Sequence, residues 1–133
     1  MSNYYAMVRS NYFRVKDSAA FERFLERWGL ENLGPRTKDG LMGFTPHPMN
    51  DTGCISPPPD DDNADFAQEL AKQLEKGEVA IWMEVGHEKL RYAVGYAWAV
   101  NHRGTMKMVG LDDIYAKAEK LTKRPKDITS CTY

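Results

Sequence analysis

Three histidines, two cysteines and one acidic run are the groups in this sequence whose types could do chemistry. An imidazole shuttles protons near neutral pH and ligates metals. His47, His87 and His102 each fall in a stretch marked by Gly or Pro, and no pair has the strand or helix spacing that would put two ligands on one face. They read as exposed turn residues. Cys54 and Cys131 are far apart, with no CxxC pair, and read as two reduced thiols. Ser56 and Cys54 lie near His47, but nothing orients them as nucleophile and base.

The run Asp60-Asp61-Asp62-Asn63-Ala64-Asp65 invites a divalent cation. An EF-hand loop needs Gly at its sixth position and Glu at its twelfth; counted from Asp60, these are Asp65 and Ala71. The acidic residues instead suit the positive end of a helix, or a patch that competes for a basic partner surface. GxxxxGK[ST], GxGxxG and GxSxG do not occur. The sequence therefore assigns no catalytic residue, metal or cofactor, and favours a non-enzymatic role. The alternative is a small enzyme or ligand-binding domain whose site the fold assembles from His47, Cys54 and their neighbours.

The elements that must position these groups follow from periodicity. Tyr4 to Val15 is rich in aromatic and β-branched residues and predicts a strand, bent near Ser10-Asn11. Asp17 predicts a helix cap, with Phe21, Phe24, Leu25 and Trp28 forming one apolar stripe and Gly29 closing it. A short strand is expected in 41–45. Pro57-Pro58-Pro59 is extended, and Phe66, Leu70 and Leu74 predict a second helix ending at Gly77.

From Glu78 to Val109 the alternation predicts three antiparallel strands. A hairpin about His87-Glu88 pairs Val85 with Leu90, Met83 with Tyr92, Glu84 with Arg91 and Trp82 with Ala93. Asn101-His102-Arg103-Gly104 predicts a second turn, pairing Val100 with Met106 and Trp98 with Met108. Asp112 or Asp113 starts a third helix, with Ile114, Ala118 and Leu121 expected inward. The tail from Asp127 is expected to close as a strand. The class is α+β: a mostly antiparallel sheet with two to three helices on one face, with which a ferredoxin-like variant is compatible.

This register points Val79, Ile81, Met83 and Val85 inward, together with Tyr92, Tyr96 and Trp98. It leaves an outer face of Ala93, Gly95, Ala97 and Ala99 around Trp82, Glu84 and Arg91. Trp82 then either covers small neighbours or anchors a docked protein, which could be a second copy of this chain. The expected binding residues are Trp82, Glu84, Arg91 and Ala93, with Asp60, Asp61, Asp62 and Asp65 as an acidic alternative.

With 133 residues, 18 basic and 19 acidic side chains and a net charge of −1, the chain matches one domain and lacks the cationic surplus that phosphate backbones demand. A single-stranded nucleic-acid module is therefore the weakest option. No run is apolar enough for a membrane span. The start, Met1-Ser2-Asn3-Tyr4-Tyr5, has neither the basic nor the apolar region of a signal peptide, so a cytoplasmic setting is expected.

The blocks NYFRVKD (Asn11 to Asp17), EKLRYAVGYA (Glu88 to Ala97) and LDDIY (Leu111 to Tyr115) resemble small uncharacterised proteins carried by phages and mobile elements. The resemblance implies an accessory protein that binds a host protein or complex, and inhibits a defence assembly by occluding it, as anti-CRISPR proteins do. It transfers no catalytic residue.

Overall fold

The protein is described by a computed structural model that places residues 4–34, 40–47, 53–88 and 92–131. The chain runs β1 (Tyr4–Ser10), α1 (Ser18–Arg27), β2 (Leu30–Asn32), β3 (Phe44–Pro46), α2 (Phe66–Gln73), β4 (Val79–Glu88), β5 (Tyr92–Asn101), β6 (Met106–Gly110) and α3 (Asp113–Glu119), then a 3-10 turn at Pro125–Asp127. Strands β1-β4-β5-β6 form one antiparallel sheet in that order, and β2-β3 form a two-stranded ribbon. The class is α+β, as the sequence predicts. None of these strand pairs is parallel and β1 lies at the sheet edge, so the split βαβ unit of a ferredoxin-like sheet does not form.

Local chemistry sets the first two helices. The Asp17 carboxylate accepts from the backbone N–H groups of Ala19 at 2.9 Å and Ala20 at 3.4 Å, groups the helix itself leaves unpaired. Phe21, Phe24 and Leu25 are buried, and Gly29 ends the turn at φ 65°. Asp65 caps α2 by accepting from Gln68 N–H, and Ala67, Leu70 and Ala71 are buried. After β1 the chain stays extended, bridging Phe13 to Met42 and Val15 to Leu74. Both helices thus pack over the end of the sheet that holds Val8, Ala80, Trp82 and Val100. Phe13 and Phe21 meet edge to face, 5.8 Å apart and 88° between planes, within this core.

The β4–β5 register overturns the predicted one. Val85 pairs with Gly95 rather than Leu90, a slip of five residues, and Trp82 pairs with Trp98, Glu84 with Tyr96 and Met83 with Ala97. Because side chains alternate with period two, an odd slip turns one strand over relative to the other. Trp98 and Val100 of β5 do face the helices, as expected, but β4 is inverted. Trp82 is 5% exposed, while Val79, Ile81, Met83 and Val85 lie on the opposite face. The deciding contact comes from outside the hairpin. Phe66 stands edge-on to the Trp82 ring at 5.3 Å, with Phe44 beneath at 6.3 Å, and a tryptophan fills that aromatic layer with more area than a valine could.

The second hairpin forms as predicted: Val100 pairs with Met106 and Trp98 with Met108, with Gly104 at φ 85°. α3 departs from expectation. Ile114 and Leu121 are 58% and 88% exposed, since this helix follows β6 beyond the reach of α1 and α2. It is tied locally, by Gly110 N–H donating to Asp113 and Cys131 N–H to the Tyr115 hydroxyl. Among the described residues the tail after Asp127 forms no strand.

Candidate functional site

Two features of the sheet stand out, one on each side. The first is the side turned away from the helices, where the odd-numbered residues of all four strands converge. Tyr5 and Met7 from β1, Val79, Ile81, Met83 and Val85 from β4, Ala93, Ala97 and Ala99 from β5, and Val109 from β6 share it. Met7 is 67% exposed, and Met83 and Val85 are each 56% exposed. A half-buried antiparallel sheet ordinarily turns polar residues outward, so this face reverses the usual alternation. Among the described residues, charge reaches it at its margins, through Arg9 on β1 and Lys107 on β6.

The face is also shaped. Met83 and Val85 form a ridge between two hollows. One, of about 420 Å³, is lined by Met7, Arg9, Asn11 and Ile81. The other, of about 260 Å³, is lined by Ala97, Val109 and Leu111. Leu111 lies directly over Gly95, where a Cβ would come within 2.7 Å of the leucine Cγ; only glycine permits that approach.

The second feature lies on the helix side, where α2 ends and the sheet overhangs it. A cleft of about 370 Å³ there is lined by Phe66, Trp82, Trp98, Tyr96, Asp65 and Glu84, with Ile55 and Met106 at its edge. The Trp82 and Trp98 rings lie 5.8 Å apart and 17° from parallel, and Tyr96 continues the row 5.7 Å from Trp98. The two acidic side chains of the lining, Asp65 and Glu84, are carboxylates.

The predicted binding residues are divided by the fold. Trp82 belongs to the core and Glu84 lines the cleft, so neither sits on the outer face with Ala93; the odd slip in register is the reason. Ala93 does lie exposed on that face, opposite His87. Arg91 lies outside the described residues, and in the sheet Glu84 stands between Val8 on β1 and Tyr96 on β5. In the acidic run, Asp60 and Asp61 pair with Arg27 at 3.9 and 3.3 Å, Asp65 caps α2, and Asp62 is exposed. Much of that run therefore fastens the 60–65 connection to α1 and α2. Arg27 also holds Glu69 at 3.0 Å, and Glu69 accepts from the Trp28 indole at 3.0 Å. The Arg27 hydrogen bond keeps the Glu69 carboxyl below its ordinary range, against the opposing effect of partial burial and with help from Trp28.

The three histidines do not converge. His102 accepts from Gly77 N–H, His87 packs near Tyr5, and His47 lines a shallow hollow of about 210 Å³ in which Cys54 takes no part. No group of three metal-ligating side chains occurs among the described residues. No helix among them is long and apolar enough to cross a membrane. The sequence does carry a signal for the exposed face: both parities of β4 are apolar, so periodicity admits either side as the buried one.

Fold and surface together define a small α+β domain with a helix-covered sheet and an uncovered apolar sheet face. Comparisons with family models, with curated proteins and with solved structures found no match to this chain.

Proposed function

We propose that the protein is a non-enzymatic protein-binding domain that docks through the open face of its sheet. The observation that carries this reading is the continuous exposure of Met7, Ile81, Met83, Val85 and Val109 on one side of four adjacent strands. At about 4.8 Å between strands and 3.3 Å per residue, the face projects about 500 Å². Side-chain relief and Leu111 bring it toward the ~800 Å² that each partner contributes to a standard interface. Exposed apolar patches of this size mark contact surfaces in soluble proteins. The phage-protein resemblance supplies the setting: an accessory protein that occludes a host protein complex, with a second copy of the chain as the competing occupant.

The experiment is a photo-crosslinking amino acid placed at Val85, with sedimentation of the purified protein alongside. The reading expects a crosslinked protein adduct, with a defined host chain or with itself, that disappears when Met83→Asp is added. A wild type that sediments as a monomer at high micromolar concentration and yields no Met83-dependent adduct in host cells overturns it.

A further inference from the structure

We infer that the open sheet face takes a protein surface whose apolar centre is flanked by carboxylates, rather than a second copy of this chain. The inference rests on the docking role proposed for that face and names the chemistry of its partner.

The charge on the face has one sign. In β1, β4, β5 and β6 no Asp or Glu occupies an odd-numbered position, whereas Arg9 and Lys107 do. Both are exposed, on the two outer strands of the sheet. Neither pairs with a carboxylate among the described residues; Arg9 donates to the neutral Tyr12 hydroxyl at 3.2 Å. Asp112 and Asp113 follow β6 at the end remote from Lys107, and the Asp113 carboxylate already accepts from Gly110 N–H at 2.8 Å. The chain as a whole carries −1, so this positive sign is local to the face.

Register fixes the spacing of the two cations. Arg9 lies opposite Met83, Met83 opposite Ala97, and Ala97 opposite Val109, two residues from Lys107. Three strand spacings across and two residues along separate them by about 16 Å. Arg9 also lines the hollow of about 420 Å³ with Met7 and Ile81. An apolar side chain seated in that hollow sets a neighbouring carboxylate of the partner beside Arg9, while Met7 and Met83 adapt to its shape. Two copies docked face to face would instead meet as identical patches, and the face has no carboxylate of its own to answer the cations. An anionic membrane is held by clusters of roughly four to eight Lys and Arg, more than this face presents.

The test titrates the full chain with three helical peptides that share one leucine stripe and differ at two positions on it, eleven residues and about 16 Å apart. Those positions carry glutamate, glutamine or lysine. At low salt the glutamate peptide is expected to bind about fivefold more tightly than the glutamine peptide, the ratio two exposed ion pairs support, with the lysine peptide weakest. The gap is expected to close at about 1 M salt, where screening is nearly complete. Arg9→Glu combined with Lys107→Glu, both at exposed positions, is expected to reverse the order, and Met83→Asp to abolish binding of all three. Equal affinity for the three peptides, each lost in Met83→Asp, leaves the docking face standing and overturns the carboxylate requirement. No Met83-dependent binding of any peptide also overturns the inference, and crosslinking from Val85 then decides the docking role by itself. So does a wild type that crosslinks through Val85 to its own copy, or that pellets with phosphatidylserine vesicles through Met83.

Discussion

Trp82 and Trp98 stand directly across from each other on β4 and β5, their rings 5.8 Å apart and only 17° from parallel. This pair couples the two halves of the structure. Trp82 reaches down to Phe44 and Phe66, and Trp98 carries the aromatic surface out toward Tyr96 and the cleft mouth.

Because Trp82 is a core residue, Trp82→Ala should cost about 3–5 kcal/mol of stability, the range for deleting a large buried aromatic. Urea unfolding measures it directly. A loss below about 1 kcal/mol would mean that the ring is not packed between Phe66 and Trp98.

Met83→Asp is expected to behave oppositely. Its side chain is 56% exposed, so the fold should keep its stability within about 1 kcal/mol. Self-association or partner capture should nonetheless fall, since a charge is placed at the centre of an apolar face. Thermal unfolding and sedimentation on the same sample separate the two effects.

Asp17→Ala removes the acceptor for two backbone donors of α1 and should destabilise by about 1 kcal/mol. Asp17→Asn, which retains an acceptor oxygen, should recover most of that loss. Equal losses in the two variants would point to the charge near the helix end rather than to the hydrogen bonds.

The Arg27–Glu69–Trp28 cluster predicts a pH dependence. Folding lowers the Glu69 pKa, so its contribution is complete above the unfolded value of about 4.3. That contribution declines as pH falls toward and through the lower folded value. Glu69→Gln should therefore flatten the acid limb of the stability profile while leaving its shape near neutrality unaltered. The change should be modest, because water reaches both partners of the ion pair.

Local and short-range features were legible in the chain. The Asp17 cap, the Phe21-Phe24-Leu25 stripe, the glycine turn at Gly104 and the β5–β6 register depend on neighbours close in sequence, and each appears where periodicity puts it. The α+β class follows from the same signals. Of the cleft, only the presence of several aromatics on even-numbered strand positions was visible.

What the sequence alone did not determine was which side of β4 faces inward. Val79, Ile81, Met83 and Val85 present one apolar set, and Ala80 and Trp82 another, so hydrophobic alternation is nearly balanced on that strand. Contacts from distant parts of the chain broke the balance: Phe44 and Phe66 form the layer that receives Trp82, and β1 adds Val8 to the same side. α3 shows the converse case, an apolar stripe that stays exposed because no element among the described residues packs over it. Burial is a property of what packs opposite, and for these strands and this helix only the tertiary structure supplies it.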